Sequence, residues 1–114
     1  YPGQGTALGL IYAALKLNGE SGEFAEHVGK AMRDDELVED GYRDEATALP
    51  CIVLGELTPE RKVLLIKEAG DVLWYVSAIC NELGVALFDV AYGNLVKLCD
   101  RGERDALQGS GDTR

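Results

Sequence analysis

Two pairs of carboxylates, Glu20 with Glu23 and Glu68 with Asp71, are the residues of this chain whose type and spacing best suit chemistry. Each pair is spaced i, i+3 in a stretch that reads as helix. At about 3.6 residues per turn, both acids of a pair leave the same face. The second pair lies inside the apolar run 63–80, VLLIKEAGDVLWYVSAIC. A carboxylate among apolar neighbours is costly unless it is paired, protonated or bound to a metal. Four of them on two helices would make a hard, oxygen-rich cation site. Such a donor set suits Mg2+, Mn2+ or Ca2+ rather than Zn2+ or copper. A di-iron bundle would need Glu-x-x-His pairs. The single histidine, His27, has Phe24 at that spacing, so it reads as a surface or packing residue.

Spacing alone is a weak signal in an acidic chain, since Glu23 with Glu26, Glu36 with Glu39, and Asp100 with Glu103 share it. Surroundings separate the candidates. On a helical projection Glu68 and Asp71 lie among Leu64, Val72, Tyr75 and Ile79, inside the apolar arc. Glu20 borders an arc carrying Leu17 and Phe24, and Glu23 lies further towards the polar side. A third constellation, Asn94, Lys97 and Arg101 at i, i+3, i+7, sets an amide, an ammonium and a guanidinium along one helical stripe. That combination suits phosphate oxygens. It also suits the negative end of a helix dipole.

Helices must position these groups. Thr6 is placed to cap a first helix reaching about Arg33, with Leu8, Leu10, Ile11, Leu15, Leu17, Phe24, Ala25, Val28 and Met32 as its apolar set. So wide an arc predicts burial on more than one side. Gly19, Gly22 and Gly29 interrupt it and predict either a packing notch or close approach of a helix or ligand. Residues 34–57 break the pattern. They read as an acidic, solvated connection followed by an apolar patch at 49–54, either a short strand or a partner-facing segment. Thr58-Pro59-Glu60 then starts a second helix over 59–83, which Gly84 ends. A third helix over 85–101 carries Leu87, Ala91, Leu95 and Leu98 as its core stripe. Residues 102–114 read as a polar tail. The fold class is all-α, in one domain spanning 1–114.

Composition narrows the function. A net charge of −9, from 20 acids against 11 Lys and Arg, disfavours a nucleic-acid polymer as partner. No apolar run approaches the ~20 residues of a membrane span. Cys51, Cys80 and Cys99 have no metal-binding spacing and read as free, buried thiols of a reducing compartment, the cytoplasm. No nucleophile motif and no GxxxxGK phosphate loop is present. Gly3-x-Gly5 reads as a flexible terminus. The opening Tyr1-Pro-Gly, without Met, predicts a piece of a longer product.

Three stretches together resemble the MazG-like nucleoside triphosphate pyrophosphohydrolases of the all-α NTP pyrophosphatase superfamily. They are LKLNGESGEFAEHVGKAMRDD (15–35), KEAGDVLWYVSAICNELGVAL (67–87) and NLVKLCDR (94–101), and the closing GSGDTR is similar to a tail of that family. The resemblance implies a helical bundle completed by oligomerisation, as a homodimer or homotetramer. It implies hydrolysis of a (deoxy)nucleoside triphosphate between its α and β phosphates, in nucleotide-pool house-cleaning. It implies Mg2+, with Mn2+ as substitute, on Glu20, Glu23, Glu68 and Asp71. Glu20, then Glu23, would orient or deprotonate the attacking water. Asn94, Lys97 and Arg101 would contact phosphates. Tyr75 would line the nucleoside pocket, and Trp74 would stack on a base or pack in the core. Family members carry a further helix ahead of the first acid pair, which here reads as missing or truncated. A phosphoribosyl-ATP pyrophosphohydrolase and a catalytically silent oligomerisation module are the alternatives.

Overall fold

The computed structural model describes residues 1–43 and 50–103. Asp44, Glu45 and Leu49 of the connection, and the tail from 104 with its GSGDTR, lie outside the described residues. Three helices carry the fold, α1 (Ala7–Asp34), α2 (Pro59–Glu82) and α3 (Leu87–Glu103), as the all-α class requires. Between α1 and α2 stands a two-stranded antiparallel ribbon, β1 (Val38–Arg43) and β2 (Pro50–Leu54). The chain divides into two compact units, Ala14–Tyr75 and the combination of Tyr1–Ala13 with Val76–Arg114.

In the unit Ala14–Tyr75 the start of α2 is built as its sequence predicts. Thr58 is the cap: its Oγ1 accepts the Arg61 backbone N–H at 3.1 Å, and its carbonyl accepts that of Lys62 at 2.9 Å. Pro59 occupies the first helical position, where a missing N–H costs nothing. Arg61 then reaches the residue that follows α1. Its Nε donates to Asp35 Oδ2 at 2.6 Å and its Nη2 to Oδ1 at 3.1 Å, a bidentate fork. That hydrogen bonding holds the Asp35 carboxyl below its ordinary range. The fork joins the end of α1 to the beginning of α2, so within this unit the two helices run antiparallel.

The connection is more ordered than its acidic composition predicts. Its register pairs Val38 with Leu54, Glu39 with Val53, Asp40 with Ile52 and Arg43 with Pro50, with an irregularity between Asp40 and Arg43. The apolar patch is thus a short strand, which its Ile-Val pair favours. Gly55 N–H extends the ladder by donating to Leu37 O at 2.9 Å.

In the second unit the Glu82 carboxylate gathers the chain's first residues. It accepts the Tyr1 hydroxyl, and both of its oxygens lie 3.0 Å from Gly5 N. Gly9 is required here: a Cβ would stand 2.5 Å from Gly3 O and 2.9 Å from the Glu82 carboxylate. Thr6 sits at the cap position, but its hydroxyl donates to Gly3 O at 2.7 Å, serving the preceding turn. Gly84 ends α2 at a φ of 68°. Val85 N–H reaches Cys80 O at 3.0 Å and Gly84 N–H reaches Asn81 O at 3.1 Å, the paired bonds of a Schellman stop.

Several packing expectations are corrected. The buried apolar residues are mostly small: Ala13, Ala31, Leu65, Ala78 and Cys80. Leu8, Ile11, Leu15 and Met32 are exposed, so the described residues do not bury α1 on more than one side. Of the expected core stripe of α3, Leu87 is half-buried, but Ala91, Leu95 and Leu98 are exposed, Leu95 to 59%. Trp74 is 64% exposed, because the inward seam of α2 runs through Arg61, Leu65, Glu68, Val72 and Tyr75 and passes it by. Around Gly19, Gly22 and Gly29 a Cβ would meet nothing within 4 Å, so among the described residues no neighbour uses that notch. Cys80 is a buried free thiol, but Cys99 is exposed. The Cys51 side chain lies outside the described residues. Among the described residues, no helix is long and apolar enough to cross a membrane.

Two measurements check this account. Thr58→Ala removes the α2 cap and is expected to lower unfolding free energy by about 1 kcal/mol, read by denaturant titration. The Tyr1–Glu82 contact gives a pH signature. The Glu82 carboxyl is held low, first by the Tyr1 hydroxyl and then by Gly5 N–H, and the Tyr1 hydroxyl is raised by Glu82. A depressed acid stabilises above its unfolded range and loses that contribution as pH falls through its folded value. A raised phenol loses its contribution as pH climbs past its own. Amide exchange of residues 1–13 is therefore expected to quicken at both extremes, and Glu82→Gln to flatten that dependence.

Candidate metal centre

Antiparallel pairing of α1 and α2 brings three of the four candidate acids together. Glu20, Glu23 and Glu68 each offer a carboxylate oxygen, and the three atoms lie within 4.8 Å of one another. Two helical positions one turn apart on α1 thus face one position on α2. The group is graded in depth. Glu20 is only 9% exposed, Glu68 is half-buried and Glu23 is open to solvent.

A buried carboxylate needs compensation. Lys16, one turn before Glu20, places Nζ 2.9 Å from Glu20 Oε1. The same ammonium stands 5.6 Å above the Tyr75 ring, which favours a cation on its face. Glu68 has the His27 Nε2 at 3.7 Å from Oε1. Among the described contacts one ammonium stands against three carboxylates, and a divalent cation would gain from that negative excess. The donors are all oxygen, as hard cations prefer. Three carboxylates also leave coordination positions open for water or phosphate oxygens. The residues present fit Mg2+ or Mn2+.

The acids differ from their sequence ranking. Glu68 lies on the inward seam of α2, but Asp71 is exposed and falls outside the three-oxygen group. The seam steps from Leu65 to Glu68 to Val72, which leaves Asp71 about 100° to one side. Glu20, expected at the arc's border, is the most buried carboxylate of the set. The reason is local: α1 turns Glu20, Phe24, His27 and Ala31 inward at spacings of four, three and four.

An open, largely apolar cleft of about 280 Å³ is lined by Ser21, Phe24, Ala69 and Val72. Each of these residues follows one of the four acids in sequence. Tyr75 is half-buried beneath Lys16, and Trp74 presents its ring to solvent. In the other unit, Asn94, Lys97 and Arg101 keep one face of α3, with Asn94 exposed and the two cations half-buried.

Sequence reasoning passed over Lys16, although its i, i+4 spacing to Glu20 is a readable signal. It also passed over Arg61 and Asp35, whose pairing spans the ribbon and has no local signature. His27 stands between Arg61 and Glu68, half-buried, with more polar company than a simple packing residue has.

The gene 37 protein of Mycobacterium phage L5 is 38% identical over 117 aligned residues, which take in all of this chain and 87% of that protein. No solved structure matches. The family model of the MazG nucleotide pyrophosphohydrolase domain matches residues 12–104, a span that holds all four acids and the polar stripe of α3. The chain belongs to the family of MazG nucleotide pyrophosphohydrolase domains.

Proposed function

We propose that this protein is a Mg2+-dependent nucleoside triphosphate pyrophosphohydrolase, splitting the α–β phosphoanhydride to a monophosphate and pyrophosphate. The observation that carries the reading is the convergence of Glu20, Glu23 and Glu68 within the segment that matches the family. When bound, Mg2+ would offset the triphosphate charge and acidify a water molecule. Glu20 and Glu68 would hold the cation from the protein side, and Asp71 would join them by rotation of its exposed side chain. Glu23 or Glu20 would orient and deprotonate the water; the exposed Glu23 is the better placed to meet solvent. Water oxygen bonds to phosphorus, its proton passes to the carboxylate, and the bridging P–O bond breaks to release the second product.

Asn94, Lys97 and Arg101 would bind the phosphates, a point charge and a fork suited to their oxygens. Tyr75 would border the nucleoside, and the open ring of Trp74 could stack on a base. Mn2+ would substitute for Mg2+. The bare apolar faces of α1 and α3 support a homo-oligomer, since exposed apolar surface of that extent marks an interface. Nucleotide-pool house-cleaning in the cytoplasm is the role this reading assigns.

The test is incubation with Mg2+ and a panel of standard and modified triphosphates, with phosphoribosyl-ATP included, and assay of both products. Pyrophosphate with monophosphate is expected. Orthophosphate or no turnover would overturn the reading. Glu68→Gln and Asp71→Asn are each expected to lower turnover at least about a hundredfold with the helical circular dichroism unchanged, and Glu23→Gln to lower kcat more than KM. Full activity in a variant removes that residue from the machinery. Sedimentation should show a dimer or tetramer that Leu95→Glu weakens; a wild-type monomer contradicts the assembly.

A further inference from the structure

The chain's one histidine stands between a guanidinium and a carboxylate. Arg61 Nη1 lies 3.3 Å from His27 Nδ1, and the same guanidinium is locked by its two bonds to Asp35. A guanidinium only donates. Nδ1 must therefore accept, and in the neutral ring the proton sits on Nε2. That nitrogen is the one 3.7 Å from Glu68 Oε1. A short closing movement turns this contact into an N–H to carboxylate hydrogen bond.

We infer that His27 is a positioning residue: Asp35 and Arg61 fix its tautomer so that Nε2–H holds Glu68 in the orientation that receives a divalent cation. This rests on the reading of the carboxylate group as a metal site. The chain of contacts is Asp35, Arg61, His27, Glu68, and each link dictates the next. The carboxylate fixes the guanidinium, the guanidinium fixes which ring nitrogen bears hydrogen, and that hydrogen faces the ligand. With Nε2 protonated, the ring has no lone pair free on that side and does not itself coordinate. His27 thus acts on Glu68 as outer partners act on metal-binding carboxylates, where their loss typically weakens metal affinity about 10–100-fold. The arrangement also explains why a half-buried imidazole stands beside an acid group without joining it.

Because His27 is the only histidine, its ring nitrogens are read without assignment ambiguity. Long-range proton–nitrogen NMR of the wild-type protein, at a pH where the ring is neutral, is expected to show hydrogen on Nε2 and none on Nδ1. Addition of Mg2+ should move the Nε2 resonance while that tautomer persists. The opposite tautomer, or an unmoved Nε2 signal under saturating Mg2+, would overturn the inference. Calorimetric titration with Mn2+ gives the second arm. His27→Leu should weaken binding about 10–100-fold. His27→Gln, whose amide reaches the position of Nε2, should restore most of the loss. Equal affinity in wild type and His27→Leu would refute the positioning role and leave the metal site standing. No Mn2+ binding by wild type would refute the metal site itself. Should His27→Leu not fold, the wild-type tautomer and its response to Mg2+ still decide the matter.

Discussion

A nearly buried carboxylate, Glu20, is the constraint on which the rest of the site depends. Removing a charge from water is costly, and the cost must be met by a partner in place before any substrate arrives. Lys16 meets part of it from the preceding turn, and the Tyr75 ring steadies that ammonium from the side. Glu23 and Glu68 then add negative charge where Lys16 alone cannot balance it. A site built this way favours a small multivalent cation over any apolar or anionic occupant. The same excess would repel a bare triphosphate, so on the proposed reading cation and substrate would bind together.

The position of Glu68 opposite the first pair depends on interactions at the far end of the helices. Thr58 sets where α2 starts, and the Arg61–Asp35 fork ties that start to the end of α1. A helix rises about 1.5 Å per residue, so a slip of one residue there would carry Glu68 out of reach. Rotation matters equally, at about 100° per residue, and explains why Glu68 and Asp71 fare so differently. The ribbon between the helices ties the crossing together with backbone hydrogen bonds. Among the described residues little else is deeply packed. The interior is mostly alanine, and the large apolar side chains of α3 lie bare.

Much of this was legible in the residues. Thr58-Pro59 and Gly84 marked the bounds of α2 because capping and the left-handed stop are local chemistry. The two helices bearing acids were readable from periodicity, and the three stretches that resemble the family agree with its model match. The depth of each acid was not. Projection ranks a residue by its own helix, whereas burial depends on which neighbour covers it. Asp71 therefore looked interior and Glu20 marginal, in reverse of their exposure. The ribbon was half legible, its apolar strand visible and its acidic strand disguised by charge. The α3 stripe has the pattern of a core face, and periodicity alone does not say whether a partner lies in the same chain. Arg61 joins Asp35 and His27 from across the ribbon, so no local spacing announces the network.

Calorimetric titration of Mn2+ into wild type and into Glu20→Gln addresses the central claim most directly. The account predicts saturable binding in wild type and its loss in the variant, with the helical content of the two proteins the same. Equal affinity in both would contradict it.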